Sequence, residues 1–275
     1  MVTRSRPPKR KSAPPPKFTP PRPTLKAPPK FMSPPDHKPS STSLGRLVGE
    51  GDLSVVFQPI LRVSNMKVFA YEALVRCKLE AFKNPMVLFE HAVATGCTGQ
   101  LGRTIRELAI PLCEKVPLFV NIHPVELEER WLVRTDDPIF AHDRAIYLEI
   151  TEAVPMAQFD LCKSVLRETR SRADIRLVVD DLGAGYSNLK YIADLHPAVV
   201  KIDRALIAGT TPGSRHEKLI AGIVSMCKLL DATVVAEGIE TEEEFQVAKN
   251  AGVQFVQGYM FARPGFPLPL RDRVE

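Results

Sequence analysis

LVVDDLGAGYS, residues 177–187, is an apolar run that ends in two adjacent carboxylates and a Gly-x-Gly turn. Leu177, Val178 and Val179 have the character of a buried strand, and Asp180 and Asp181 stand where it stops. Asp before Gly is ordinary turn chemistry, because the carboxylate accepts backbone hydrogen bonds and Gly tolerates positive φ. A Gly-x-Gly after a strand also opens dinucleotide folds, but that motif needs a third Gly at position 188, which is Asn. The rest of the chain decides between a turn and a site.

Similar apolar runs fall at 55–63, 67–77, 118–123, 145–152, 176–182, 198–203, 233–239 and 254–261. Amphipathic stretches lie between most of them, as at 99–115, 160–172, 216–230 and 242–251. Alternating strands and helices imply a parallel sheet covered by helices. Eight runs in about 220 residues predict a (β/α)8 barrel. Residues 64–66 allow only a hairpin between the first two runs. The expected fold is therefore α/β: a modified TIM (β/α)8 barrel with its first strand antiparallel.

Nearly every run carries a charged or amide residue in its second half: Glu72, Asn121, Glu149 with Glu152, Asp180 with Asp181, Lys201, Glu237 and Gln257. In such a barrel the C-terminal strand ends converge on one mouth. Any one of these residues alone reads as a strand-end turn or a surface charge. Seven consecutive strands read as a cluster. Converging carboxylates repel one another, and divalent cations relieve that repulsion. Oxygen ligands without Cys or His suit hard metals such as Mg²⁺, Mn²⁺ or Ca²⁺. Adjacent aspartates suit a pair of ions, the usual device for splitting phosphate esters. Asp180 and Asp181 are then the shared floor of a two-metal site.

Residues 1–40 differ from the rest. They hold 13 of the 25 Pro, ten Lys or Arg and one acid, Asp36, for a net +9. The remaining residues hold 27 basic and 31 acidic side chains, a net −4. Pro removes donors and fixes φ, so this stretch is expected to be extended and disordered. A solubilising linker is the preferred reading, with a proline-rich ligand or a basic arm as functional alternatives. Helical patterning begins near Ser43. The division expected is a tail at 1–42 and a barrel at 43–270. No run reaches the ~18 apolar residues of a membrane span, and no apolar stretch follows the basic N-terminus as in a secretory signal. Cys77, Cys97, Cys113, Cys162 and Cys227 are scattered and odd in number. They are expected to be packing residues of a reduced, cytoplasmic protein.

The motifs QPI (58–60), YEALVR (71–76), NIH (121–123), LEITE (148–152), DDLGAGYS (180–187), KID (201–203), AEGIET (236–241) and QGYMFARP (257–264) resemble the EAL domain family, over about residues 45–265. Members of that family are bacterial phosphodiesterases that hydrolyse cyclic di-GMP to linear pGpG. The resemblance implies that Glu72, Asn121, Glu149 and Asp180 bind one metal. Asp180 would bridge to a second metal beside Asp181 and Glu237. Lys201 would orient the attacking water or take its proton, and Gln257 would support water and substrate. Gln58 and Arg76 would contact substrate, and Glu152 would hold the loop after Asp181. It also implies Mg²⁺ or Mn²⁺ as cofactors, inhibition by Ca²⁺, and a homodimer through the barrel. Four positions depart from the family pattern: Cys77 where Trp is common, Leu182 for Phe, Ala184 for Thr and His123 for Ser. His123 is expected to be a supporting or surface residue. Glu240 is expected to be a helix N-terminal charge. Two alternatives stand beside the enzyme: a cyclic di-GMP receptor, and an adaptor acting through a protein partner of the tail. Nucleic acid is not an expected partner of the slightly acidic barrel.

Overall fold

The computed structural model describes residues 48–151, 159–184 and 189–275. Eight strands close into a barrel in chain order: β1 (Leu53–Arg62), β2 (Val68–Cys77), β3 (Leu118–Asn121), β4 (Ile146–Thr151), β5 (Ile175–Leu182), β6 (Val199–Ile202), β7 (Thr233–Ala236) and β8 (Phe255–Val256). β1 is antiparallel to both neighbours, pairing Leu53 with Cys77 on one side and Leu61 with Val256 on the other. The remaining pairings are parallel. The antiparallel start follows from the short connector. Met66 takes a left-handed φ of 56°, and its N–H donates back to Arg62 O at 2.8 Å, so the chain reverses at once.

Eight helices are described: α1 (Pro85–Thr95), α2 (Thr98–Ala109), α3 (Pro124–Glu128), α4 (Phe159–Arg170), α5 (Leu189–Leu195), α6 (Arg204–Ile207), α7 (Arg215–Leu229) and α8 (Glu242–Asn250). Local chemistry sets their starts. Ser214 Oγ accepts from Glu217 N to open α7, and Thr241 with Glu244 forms a capping box on α8. The four amphipathic stretches of the sequence correspond to α2, α4, α7 and α8. α1 carries apolar residues on several sides, and α3, α5 and α6 are too short for a periodic signal. The helical pattern expected near Ser43 begins outside the described residues, as does the tail. Its described end is a 3-10 turn, Glu50–Asp52, leading into β1. Among the described residues no helix is long and apolar enough to cross a membrane.

The interior of the barrel is layered by the two-residue period of its strands. Ile60, Ala70, Phe119, Tyr147, Val178, Val199, Val235 and Phe255 form one buried apolar cluster. Phe119 and Tyr147 stack with ring centroids 4.2 Å apart, and Phe69 and Phe255 stack at 4.3 Å. Each fully buried aromatic of this kind contributes about 1.5–3 kcal/mol. Arg62 covers the base, with its guanidinium 4.9 Å from the Phe255 ring. The other strand faces pack outward against the helices in two larger clusters. All five Cys are buried, consistent with packing roles, and burial pushes the thiols of Cys113 to about 12 and of Cys162 and Cys227 to about 11.

Candidate active site

Two residues on from each member of the apolar base, toward the mouth, stands a polar side chain. These are Gln58, Glu72, Asn121, Glu149, Asp180, Lys201, Glu237 and Gln257. Gln58 precedes Ile60 because β1 runs the other way, and Gln58 pairs directly with Glu72. One period of the pleat separates the packed floor from this layer.

Lys201 lies at its centre and is 1% exposed. Its Nζ is 2.5 Å from Glu237 Oε1, 2.7 Å from Glu149 Oε1, 3.4 Å from Asp180 Oδ2 and 3.5 Å from Glu72 Oε2. Those carboxylates come from four different strands or strand ends. Gln257 Nε2 donates to Glu72 Oε2 at 2.7 Å and to Gln58 Oε1 at 3.2 Å. Asn121 Nδ2 donates to Glu72 Oε1 at 3.1 Å. Gln58 Nε2 donates to Ala262 O at 3.2 Å, which ties the layer to the C-terminal segment.

One ammonium faces four carboxylates, and the imbalance governs their protonation. Burial works against the Lys201 ammonium, but Asp180, Glu149, Glu237 and Glu72 outweigh it and hold its pKa well above the ordinary lysine value. Burial pushes Glu149 and Glu237 well above the carboxylate range, and like charges add to the shift. Asp180 is raised, again chiefly by burial. Glu72 is the exception: burial opposes its charge, but Lys201 and the amides of Gln257 and Asn121 bring its pKa below the ordinary value.

Asp181 follows in a left-handed conformation, φ 61°, and its N–H donates to Asp180 Oδ1 at 2.8 Å. Asp tolerates this region better than most residues. The turn brings carboxylate oxygens of Asp180, Asp181 and Glu237 within 4.8 Å of one another. Both oxygens of buried Glu149 lack an aligned hydrogen bond, although Lys201 lies beside one of them. Unmatched carboxylate charge and a donor set of carboxylate and amide oxygens fit a hard divalent cation.

The layer opens into a cavity of about 330 Å³, lined by Gln58, Glu72, Asp180, Asp181, Lys201 and Glu237 among others. Arg76 is not among its lining residues. It stands two pleats above Glu72 with its side chain folded back, and Nη1 donates to Val75 O at 2.8 Å. Arg204, at the start of α6, contributes a cation to the wall instead and pairs with Glu240 at 2.8 Å. Glu240 thus lines the cavity rather than serving only as a helix charge. Tyr259 is a further wall residue, with the Arg263 guanidinium 4.3 Å from its ring. Arg204 and Tyr259 carry little signal of their own in the sequence; each sits just past a recognised motif residue. His123 caps α3, its Nδ1 accepting from Val125 N, and its ring stacks on Phe89. Leu182 is buried against the α6 and α7 side of the core, and Ala184 is exposed beyond Asp181. Glu152 lies outside the described residues.

The pattern that defines the EAL domain matches residues 42–264. The chain is 30% identical over 248 residues to the cyclic di-GMP phosphodiesterase NbdA of Pseudomonas aeruginosa, covering 84% of this chain and 31% of NbdA. The chain therefore spans about a third of that relative's length. Its fold is similar to Klebsiella pneumoniae BlrP1 in a calcium complex with cyclic di-GMP, at TM-score 0.69 and 27% identity, covering 78% of this chain and 57% of that one. A manganese complex of BlrP1 with the same ligand matches at TM-score 0.67 and 28% identity, covering 78% and 56%. With its closed barrel, its antiparallel first strand and a family match over most of its length, the chain belongs to the EAL domain family.

Proposed function

We propose that the chain is a metal-dependent phosphodiesterase that hydrolyses cyclic di-GMP to linear pGpG. The observation that carries this reading is the polar layer: carboxylates from β2, β4 and β5 and from the end of β7 converge on one ammonium at the floor of an open cavity. Relatives named as cyclic di-GMP phosphodiesterases support the substrate. Calcium and manganese complexes of BlrP1 support divalent cations; in this reading Mg²⁺ or Mn²⁺ is the working ion and Ca²⁺ an inhibitor.

In the reaction, a water oxygen bonds to phosphorus, the bond to the ribose 3′ oxygen breaks, and that oxygen takes a proton. Glu72, Asn121, Glu149 and Asp180 would hold one cation, and Asp180, Asp181 and Glu237 the other. When bound, the cations supply an activated water and neutralise charge on the phosphate oxygens. Without metal the surrounding carboxylates hold Lys201 as an ammonium; in the reaction it orients the attacking water or takes its proton. Gln257 and Gln58 present amide groups at the floor, where they position water and substrate. Arg76 reaches a phosphate only after leaving the Val75 carbonyl. Glu152 fixes the loop beyond Asp181. The same reading includes the division at residues 42 and 43, a cytoplasmic homodimer through the barrel, and a protein partner for the proline-rich segment.

The test is incubation of purified protein with cyclic di-GMP in Mg²⁺, in Mn²⁺ and in EDTA, with products separated by chromatography. Metal-dependent pGpG is expected. Binding of cyclic di-GMP with no product under either metal would replace the enzyme with a receptor.

A further inference from the structure

A second buried charge cluster lies outside the cavity. Arg106 on α2, Glu126 on α3 and Asp137 are all buried, Arg106 and Glu126 completely. Asp137 caps the 3-10 turn Pro138–Ala141 by accepting from Ile139 N at 3.2 Å. Arg106 Nε and Nη2 donate to the two Asp137 oxygens at 3.1 and 2.8 Å, a two-pronged pair. On its other side, Arg106 Nη1 lies 2.5 Å from Glu126 Oε1. Neither Glu126 oxygen accepts an aligned hydrogen bond among the described residues. The face of α2 that meets this cluster is cut back to receive it. A Cβ on Gly102 would lie 2.2 Å from Glu126 Oε2, and one on Gly99 would lie 1.9 Å from Trp131 Cδ1.

Charge counting decides the state of the cluster. One guanidinium faces two carboxylates in a sealed space, and an uncompensated buried charge is costly. Asp137 accepts from three donors, Arg106 Nε, Arg106 Nη2 and Ile139 N. Glu126 has one poorly aligned contact, so the proton that balances the cluster belongs there. The groups facing Glu126 are Arg106 from α2, Asp137 from the turn beyond α3 and Glu129 at the end of α3 itself. Burial, against the pull of Arg106, pushes Glu126 up to about 7.

α3 begins three residues after Asn121, the layer residue that donates to Glu72. We propose that Arg106 and Glu126 are positioning residues for the cavity: Arg106 clamps the segment that carries Asn121 against α2, and Glu126 holds the proton that makes the clamp neutral. The positioning half rests on the phosphodiesterase reading, and the proton half does not. Loss of the Glu126 proton leaves a net negative charge in the sealed cluster and loosens α3 below Asn121.

Trp131 is the chain's one Trp and packs on Gly99, so its emission reports on this cluster. The experiment follows Trp131 fluorescence of the full, metal-free chain from pH 5 to pH 9 in wild type and Glu126→Gln. A single step in the neutral range is expected in wild type, and a flat profile in Glu126→Gln. A flat wild type, or the same step in the variant, overturns the proton. The positioning half is read with Mn²⁺ and cyclic di-GMP in Arg106→Met and Arg106→Lys. Arg106→Met should lower kcat at least fivefold with KM within twofold, and Arg106→Lys should recover part of the loss. Wild-type kcat in Arg106→Met overturns it. If Arg106→Met does not fold, the kcat–pH profile decides instead: wild-type kcat should fall as pH rises above about 7 and that of Glu126→Gln should not, and an equal fall in both, or none in wild type, overturns the proposal. A wild-type chain inactive toward cyclic di-GMP overturns the positioning half together with the phosphodiesterase reading, and leaves the fluorescence to decide the proton.

Discussion

Lys201 is the residue on which the cavity turns. Its raised pKa means that its stabilisation is fully present below about 10.5 and is lost only as pH climbs through the higher folded value. Glu149 and Glu237 behave in the opposite range. Their raised pKa values favour the folded state below the ordinary carboxylate value, and that stability falls away as pH rises above it. Lys201→Met removes the one ammonium that, among the described residues, contacts these four carboxylates. It is expected to cost about 3–5 kcal/mol at pH 8 in EDTA and less at pH 5, where the acids take up protons; urea unfolding at the two pH values measures this. Asp181→Asn is a milder change. Asn tolerates the left-handed φ, so the melting temperature in EDTA should stay within about 2 °C of wild type. Calorimetric titration should nevertheless show Mn²⁺ affinity at least tenfold weaker. Most residues of the layer were legible because each interrupts the second half of an apolar run; Gln58 was legible only through the family resemblance. Arg76 was expected as a substrate contact through the family resemblance, but a sequence does not say which way a long side chain folds, and here its Nη1 donates to the neighbouring Val75 carbonyl.

At the scale of elements, what could be read depended on length and on amphipathic contrast. The first hairpin was visible because three residues cannot hold a crossover helix. β8 is two residues long, shorter than its apolar run, because Gln257 turns inward and the chain then leaves the barrel along Ile239. α2 reads as an ordinary amphipathic helix, yet Arg106 on its buried face marks a contact that no period reveals. That contact has a pH signature. Glu126 titrates at about 7 in the folded chain against the ordinary 4.5. Its contribution is complete below 4.5 and is lost between there and about 7, a loss on the order of 3 kcal/mol. Glu126→Gln should flatten that part of the stability profile, measured by denaturant unfolding from pH 4.5 to pH 8. A wild-type profile that does not fall across this range would contradict it.

At the scale of the whole molecule, an apolar base and a polar upper layer divide one barrel interior between stability and chemistry. The sequence showed only the polar residues in the second half of nearly every run; the apolar base two residues below them emerges from the closed barrel. The partner of each carboxylate was not legible either, because it depends on closure of all eight strands. Acids gathered in this way favour a folded state that binds cations. Adding Mn²⁺ at about 100 times its Kd should raise stability by about 2.7 kcal/mol, seen as a higher melting temperature that EDTA reverses. The most direct test of the central claim is a single turnover of cyclic di-GMP in ¹⁸O-water with Mn²⁺, comparing wild type with Glu72→Ala. The account predicts pGpG carrying one ¹⁸O in its terminal phosphate from wild type, and no product from Glu72→Ala or in EDTA. Product formed equally well in EDTA or by Glu72→Ala, or product without the label, would contradict it.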